Sequence, residues 1–424
     1  MTLRRCGRQF AMAFAVALTL VARTASAAPP VFTPFHATGI YAVGERVGWT
    51  LVVAEGCAAP AGGYRYTIRK NNADTIGAGT LDPAAGAVTI ETALDEPGMV
   101  FVQVDTGDAA HPVTLGAAVA PTRLTPAAPR PADFDRFWND KLAALSAVPF
   151  TPLLRPIDTA EPAVNLYAIS IGSLGSRVQG YLAAPKREGK FPALIVYQYA
   201  GVYALQTRTV TDRAAEGWLT LDVSSHDLPP DQGIGVPQNY GAVGNTDRET
   251  SYFLNMYLRD SRAIDYIASR PDWDGRTIVV TGTSMGGHQS LVAAGLNPKV
   301  TAVLVNEPAG ADANGDLHGR KAGYPNWAAI TDPRVAKTGL YFDTVNFASR
   351  IKAPSLVAIG FIDTVTPPVG IWTAFNQIPG PKEAVPMVES DHNNLTPQKQ
   401  GAWTARSKEV LDTILHGGQF QPRD

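Results

Sequence analysis

Cysteine is scarce in this chain: Cys6 and Cys57 are the only two in 424 residues, too few for a disulfide framework. Charge of one sign is missing as well. Thirty-six Lys and Arg stand against 38 Asp and Glu, with no basic stripe or acidic run, which argues against a nucleic-acid partner. The His residues show neither H-E-x-x-H nor Cys-paired spacing, so no metal or other cofactor is expected. Beyond residue 27 no apolar stretch approaches the ~20 residues needed to cross a bilayer, and stable membrane insertion is not expected. What is present is the composition of a globular chain, 45% hydrophobic and 17% charged, long enough for two or three domains.

The first 27 residues read as a signal peptide. Arg4, Arg5 and Arg8 form a positive start, Phe10 to Ala22 an apolar run, and Ala25-Ser26-Ala27 a small-residue cleavage site. Cleavage there removes four arginines and no acid, which leaves a net charge of −6. It also removes Cys6, so Cys57 has no partner for an internal disulfide. The expected product is an exported, soluble protein, periplasmic or secreted.

Two regimes of hydrophobic period follow. Residues 28–122 alternate with a period near two, as in Val47, Trp49, Leu51, Val53 and again in Val100, Val102, Val104, with turn signals such as Glu96-Pro97-Gly98 between the runs. Seven or so short strands in this span predict a small all-β sandwich of immunoglobulin type. Trp49, Tyr64 and Tyr66 are core candidates there, a sugar-stacking platform being the alternative. The Pro-rich segment Ala120 to Pro131 ends this pattern, and residues 123–424 form the second domain. Phe134, Phe137, Trp138, Leu142 and Leu145 mark an amphipathic helix. Apolar strands near Val178–Ala183, Ala193–Tyr197, Leu219–Val223, Ile278–Thr281, Ala302–Val305, Leu356–Gly360 and Val385–Val388 then alternate with helices such as Leu254–Ser269 and His288–Gly295. That alternation predicts an α/β domain: a mainly parallel sheet covered by helices on both faces.

The sharpest motif is Gly282-Thr283-Ser284-Met285-Gly286, entered from the β-branched strand Ile278-Val279-Val280-Thr281 and left through a helix. In this G-x-S-x-G setting the serine sits on a tight strand-to-helix turn, and the glycines let the backbone fold back on itself. A serine hydroxyl needs a base to take its proton and a carboxylate to orient that base. In an α/β-hydrolase these follow in the order Ser, acid, His. His392 and His416 are the histidines beyond residue 320. His392 follows the last predicted strand and is the base candidate; His416 reads as a surface residue of a terminal helix. Asp363, beyond the strand Leu356–Gly360, is the acid candidate, with Asp343 and Asp391 as rivals better suited to capping. Two backbone N–H groups, of Met285 and of Tyr199 in Gln198-Tyr199-Ala200-Gly201, would hold an oxyanion. The irregular stretch from Gly310 to Thr338 is a candidate pocket wall.

Several segments resemble the acetyl xylan esterase and cephalosporin-C deacetylase family, carbohydrate esterase family seven. They are Phe134 to Trp138, Tyr257 to Tyr266, Tyr341 to Ala348 with Ile351 to Pro354, and Gly360 to Pro368, the last matching an acid-bearing G-x-x-D-x-x-x-P-P. The resemblance implies Ser284 as nucleophile, Asp363 as acid and His392 as base, with oxyanion donors from Tyr199 and Met285. It implies hydrolysis of acetyl esters of carbohydrates, xylan or xylo-oligosaccharides, and of cephalosporin C. The chain departs from the family at Met285 where Gln is usual, at Asn393 where Glu follows the His, and at Gln198 where Gly precedes the Tyr. Glucuronoyl or feruloyl esterases, serine peptidases, and a polysaccharide-binding protein with an inert hydrolase domain are alternatives. A peptidase propeller cannot fit in the ~95 residues before the linker. Whether the chain forms a homo-oligomer is left open.

Overall fold

The structure, a computed structural model, describes residues 30–52, 60, 62–86, 88–107, 112–327 and 332–423. The leader segment, Val53 and both cysteines lie outside the described residues.

Among its described residues the alternating N-terminal segment forms eight strands in two sheets. β1 (Val31–Pro34), β3 (Val47–Val52) and β6 (Thr89–Thr92) make one; β2 (Ile40–Tyr41), β8 (Val113–Val119), β7 (Gly98–Val104), β4 (Tyr64–Lys70) and β5 (Asp74–Leu81) make the other, in the order β2-β8-β7-β4-β5. Every second residue of β3 and β7 points inward, so Val47, Trp49, Leu51, Val100, Val102 and Val104 pack together with Ile68 and Ile90. This is the small immunoglobulin-like sandwich that the alternation predicts. Trp49 and Tyr64 belong to its core and Tyr66 packs against it, as their spacing suggests.

Helix α1 (Phe134–Ser146) buries Phe137, Trp138 and Leu145 on one face. After it come β9 (Leu153–Ile157), β10 (Val164–Ser173), β11 (Ser176–Pro185), β12 (Phe191–Tyr197), α2 (Arg208–Glu216), β13 (Leu219–Val223), α3 (Tyr252–Ser269), β14 (Trp273–Thr283) and α4 (Met285–Leu296). β15 (Ala302–Asn306), α5 (Pro333–Gly339), α6 (Thr344–Ala348), β16 (Ser355–Gly360), α7 (Pro368–Gln377), β17 (Lys382–Met387) and α8 (Pro397–Leu415) complete the chain. The strands from β9 onward form one nine-stranded sheet in the order β17-β16-β15-β14-β12-β13-β11-β10-β9. The run from β17 to β13 is parallel, and β11, β10 and β9 extend it antiparallel. β12 pairs with β13 on one side and β14 on the other. Strand order therefore reverses at β12, and a crevice opens at the carboxyl ends of β12 and β14, where open α/β sheets place their ligands.

The sandwich docks against the carboxyl end of β16 and against α7. Met99 and Ala118 join the same core cluster as Phe361 and Val369. A Cβ at Gly116 would lie 2.6 Å from the Phe361 carbonyl oxygen, so β8 backs directly onto the loop that follows β16. Asn376 Nδ2 donates to the carbonyls of Pro121 and Leu124, both at 2.9 Å, and ties the Pro-rich connection to α7.

Candidate active site

Ser284 sits between β14 and α4 with φ +56° and ψ −122°, a conformation that non-glycine residues rarely adopt. Two close approaches hold it there. A Cβ at Gly282 would lie 2.3 Å from the Gly286 carbonyl carbon, and one at Gly286 would lie 2.2 Å from the Tyr197 oxygen. Glycine is required at both positions because backbone meets backbone. The serine carbonyl accepts from His288 N and Ala309 N, each at 3.0 Å, which anchors the turn from both sides. Met285 is the first residue of α4, so its N–H has no acceptor one turn back within the helix.

The structure brings together the three side chains predicted from the sequence. His392 Nε2 lies 2.9 Å from Ser284 Oγ, and His392 Nδ1 lies 2.8 Å from Asp363 Oδ2. Asp363 is wholly buried and Ser284 nearly so. Every acceptor position of the carboxylate is used. Oδ1 takes the N–H groups of Val365 and Thr366 at 2.8 Å each, and Oδ2 takes the Thr366 hydroxyl at 2.7 Å besides the imidazole. The carboxylate thus fixes the proton on Nδ1 and turns the Nε2 lone pair toward the serine hydroxyl. Burial pulls the imidazole pKa down, but the hydrogen bond and charge of Asp363, with smaller contributions from Glu307 and Asp391, leave it above the ordinary histidine value.

The loop after β12 is held by a network that no motif announces. Gln289 Nε2, on α4, donates to the Gln198 carbonyl at 2.8 Å, to Ser225 Oγ at 2.9 Å and to the Met285 carbonyl at 3.2 Å. Gln198 Oε1 accepts from Ser225 N at 2.9 Å, and its Nε2 donates to the Tyr203 carbonyl at 3.0 Å. The peptide carrying the Tyr199 N–H is therefore locked to the helix carrying the Met285 N–H. The Tyr199 ring is 57% exposed and stacks on Tyr203, while Tyr197 is buried and donates to the Asp260 carbonyl at 3.0 Å. Beside the serine, the Tyr240 hydroxyl meets Met285 Sδ at 3.1 Å and accepts from Tyr324 at 2.7 Å.

The rival residues have other partners. Asp343 caps α6 and accepts from Val345 N, Asp312 N and Ala313 N. Asp391 holds its own loop through the N–H groups of Asn393 and Asn394 and pairs with Lys399. His288 is buried against Tyr257, and His416 is exposed, bonded to the Asp412 carbonyl. Of the 310–338 stretch, Tyr324, Pro325 and Trp327 line a cavity of about 380 Å³ with Asn239, Thr364 and Val365, next to the acid loop. Asp312 is instead buried in an ion pair with Arg320, and His318 is exposed.

A parallel sheet with a serine on the strand–helix turn, an acid after a later strand and a histidine after the last one defines an α/β-hydrolase, and the comparisons specify which. A family model described as acetyl xylan esterase matches residues 122–314 and 326–406. The acetyl esterase Axe7A of Xylanibacter ruminicola is 30% identical over 377 residues, 85% of either chain. The acetyl xylan esterase from Paenibacillus sp. R4 superposes with a TM-score of 0.60 at 26% identity, covering 70% of this chain and 98% of that one. Acetyl xylan esterase 1 from Thermoanaerobacterium sp. JW/SL YS485 gives the same TM-score at 24% identity, covering 70% and 97%, and shows the shared fold. The chain belongs to the acetyl xylan esterase family, and it is an esterase.

Proposed function

We propose that the protein is a serine esterase that removes acetyl groups from carbohydrate esters, of xylan or xylo-oligosaccharides, through an acyl-enzyme. One observation carries this reading: the unbroken line from Ser284 Oγ through His392 to Asp363, with contacts of 2.9 and 2.8 Å. Ser284 attacks the ester carbonyl as His392 takes its proton, and Asp363 stabilises the imidazolium. The Tyr199 and Met285 N–H groups receive the oxyanion, a donor of this kind contributing about 3 kcal/mol to the barrier drop. His392 then returns the proton to the leaving sugar oxygen, and water repeats the cycle on the acetyl-serine. Nothing in this sequence of proton and acyl transfers calls on a metal or an organic cofactor.

The wider reading is of an exported protein, periplasmic or secreted, with a leader ending at Ala27, a sandwich domain at 28–122 and a catalytic domain at 123–424. No helix among the described residues is long and apolar enough to cross a membrane. Acetate release by the mature protein from acetylated xylan, acetylated xylo-oligosaccharides and cephalosporin C tests the substrate assignment. Release from the xylan-derived esters supports it. Activity confined to feruloyl or glucuronoyl esters, or to peptide anilides, would overturn it.

A further inference from the structure

Behind His392 lies a second carboxyl group that the three-residue chemistry leaves unused. Glu307 follows β15, the neighbour of the strand that leads to Asp363, and its backbone takes a left-handed conformation, φ +44°. The residue is fully buried. Its Oε1 accepts from Ser390 Oγ at 2.7 Å and from Gln400 Nε2 at 3.5 Å, whereas Oε2 is buried with no hydrogen-bond partner among the described residues. Room for the carboxyl is made by Gly360, where a Cβ would come within 2.3 Å of Oε1. A buried carboxyl with one oxygen unpartnered is costly unless an opposite charge stands close by. The group that can supply that charge is the imidazole, once it takes up the serine proton: Glu307, Asp363 and His392 each bring one atom within 4.8 Å of the others. Thr366 ties Asp363 to the backbone of the neighbouring strand end, its hydroxyl donating to Asp363 Oδ2 at 2.7 Å and lying 3.2 Å from the Glu307 main-chain carbonyl.

We infer that Glu307 is a positioning residue of the hydrolase, a second carboxyl presented by the neighbouring strand that acts on Ser284 through His392. It adds negative charge beside the imidazolium and anchors the loop carrying that histidine through Ser390. The inference rests on the triad proposed above and deepens it. The charged groups around the pair are Asp363 on one side and Asp391 with Lys399 on the other; Ser390, Gln400 and Thr366 are neutral. Burial and the neighbouring Asp363 push the Glu307 carboxyl up to about 7, against the opposing pull of Ser390, His392 and Gln400. A proton arriving on the imidazole pulls the Glu307 carboxyl toward its ionised form, so the two groups titrate as a pair.

The test compares Glu307→Gln, Asp363→Asn, the double variant and Ser284→Ala on p-nitrophenyl acetate across pH. Glu307→Gln is expected to lower kcat about tenfold with KM little changed, and to move the acid limb to lower pH because the imidazolium loses a negative neighbour. In the Asp363→Asn background the same change should remove most of the residual activity, about tenfold more. Wild-type kcat and an unmoved limb in Glu307→Gln, or equal activities of Asp363→Asn and the double variant, would overturn the inference. Should Glu307→Gln not fold, Ser390→Ala reads the same link, with a loss in kcat expected and wild-type kcat contradicting it. Activity surviving in Ser284→Ala sinks the triad itself; an inactive Ser284→Ala beside an unchanged Glu307→Gln sinks only the second acid.

Discussion

Adding one methyl group at Gly286 should separate the Tyr199 and Met285 N–H groups proposed to hold the oxyanion. A Cβ there would stand 2.2 Å from the Tyr197 oxygen, 3.1 Å from its carbonyl carbon and 3.4 Å from that of Gln198. A carbon and a carbonyl oxygen are comfortable only at roughly 3.3 Å or more, so one backbone must give by about 1 Å. Both the end of β12 and α4 are buried, so whichever backbone gives, the two move apart. The Tyr199 N–H follows two residues later, and a shift of that size takes it from about 2.9 Å to beyond hydrogen-bond reach of the oxyanion. The expected loss in kcat is about 10²- to 10³-fold, with KM for a small acetate ester little altered and stability down by about 1–3 kcal/mol. Gly401 in α8 is the control: nothing lies within 4 Å of its Cβ position, and Gly401→Ala should leave kcat alone and raise stability by about 0.5–1 kcal/mol. Steady-state kinetics and thermal melts of the two variants decide the matter. A folded Gly286→Ala enzyme within threefold of wild-type kcat would refute the reasoning.

Three further outcomes follow from other parts of the structure. His392 must be neutral to act as base, and its pKa stands above the ordinary value, so kcat/KM should rise with pH through an apparent pKa above about 6.5; a limb below that value would contradict the geometry around Asp363. Arg406 in α8 pairs with Glu383 on β17 through two hydrogen bonds of 2.8 Å, both side chains about nine-tenths buried. Arg406→Ala strands that carboxylate and should cost about 3–5 kcal/mol in a denaturant titration while the folded fraction keeps wild-type kcat. Gly116 backs onto the Phe361 carbonyl, two residues before the acid. Gly116→Val should therefore reach the site from the sandwich, lowering kcat about 10- to 100-fold at nearly constant KM, and an unchanged kcat would show that the sandwich does not set the acid loop.

Some of this could be read from the chain before any coordinates, and some could not. The buried strands β12 to β16 announce themselves as short apolar runs because both faces of a parallel sheet are covered. Ser284 is legible for a steric reason, since glycines at 282 and 286 are what so close a strand–helix turn demands. Asp363 and His392 follow from the order of strands, each on the loop after one. The antiparallel extension β9–β10 is harder, with Leu153 and Leu154 exposed at the edge. Helix α2, Arg-Thr-Val-Thr-Asp-Arg-Ala-Ala-Glu, buries Val210, Thr211 and Ala214, a face with a single large apolar side chain. α4 starts three residues earlier than its apolar pattern suggests, because Gly286 and Gly287 look like a turn until the close packing on Tyr197 is known. Glu307, Gln289 and Gln400 escape sequence reading altogether. A polar residue beside an apolar run normally faces water, and only the fold brings Ser390 and Gln400 to Glu307, 83 and 93 residues away in the chain.

The central claim, that one serine carries the acyl group, is tested most directly by mass spectrometry of the protein quenched during turnover of p-nitrophenyl acetate, with a fluorophosphonate label run in parallel. A single acetyl group, and a single phosphonyl group, on the peptide that contains Ser284 is the predicted result, both absent from Ser284→Ala, whose kcat should fall by about 10⁴- to 10⁶-fold. Modification of a different residue, or turnover above a tenth of wild type in Ser284→Ala, would contradict the account.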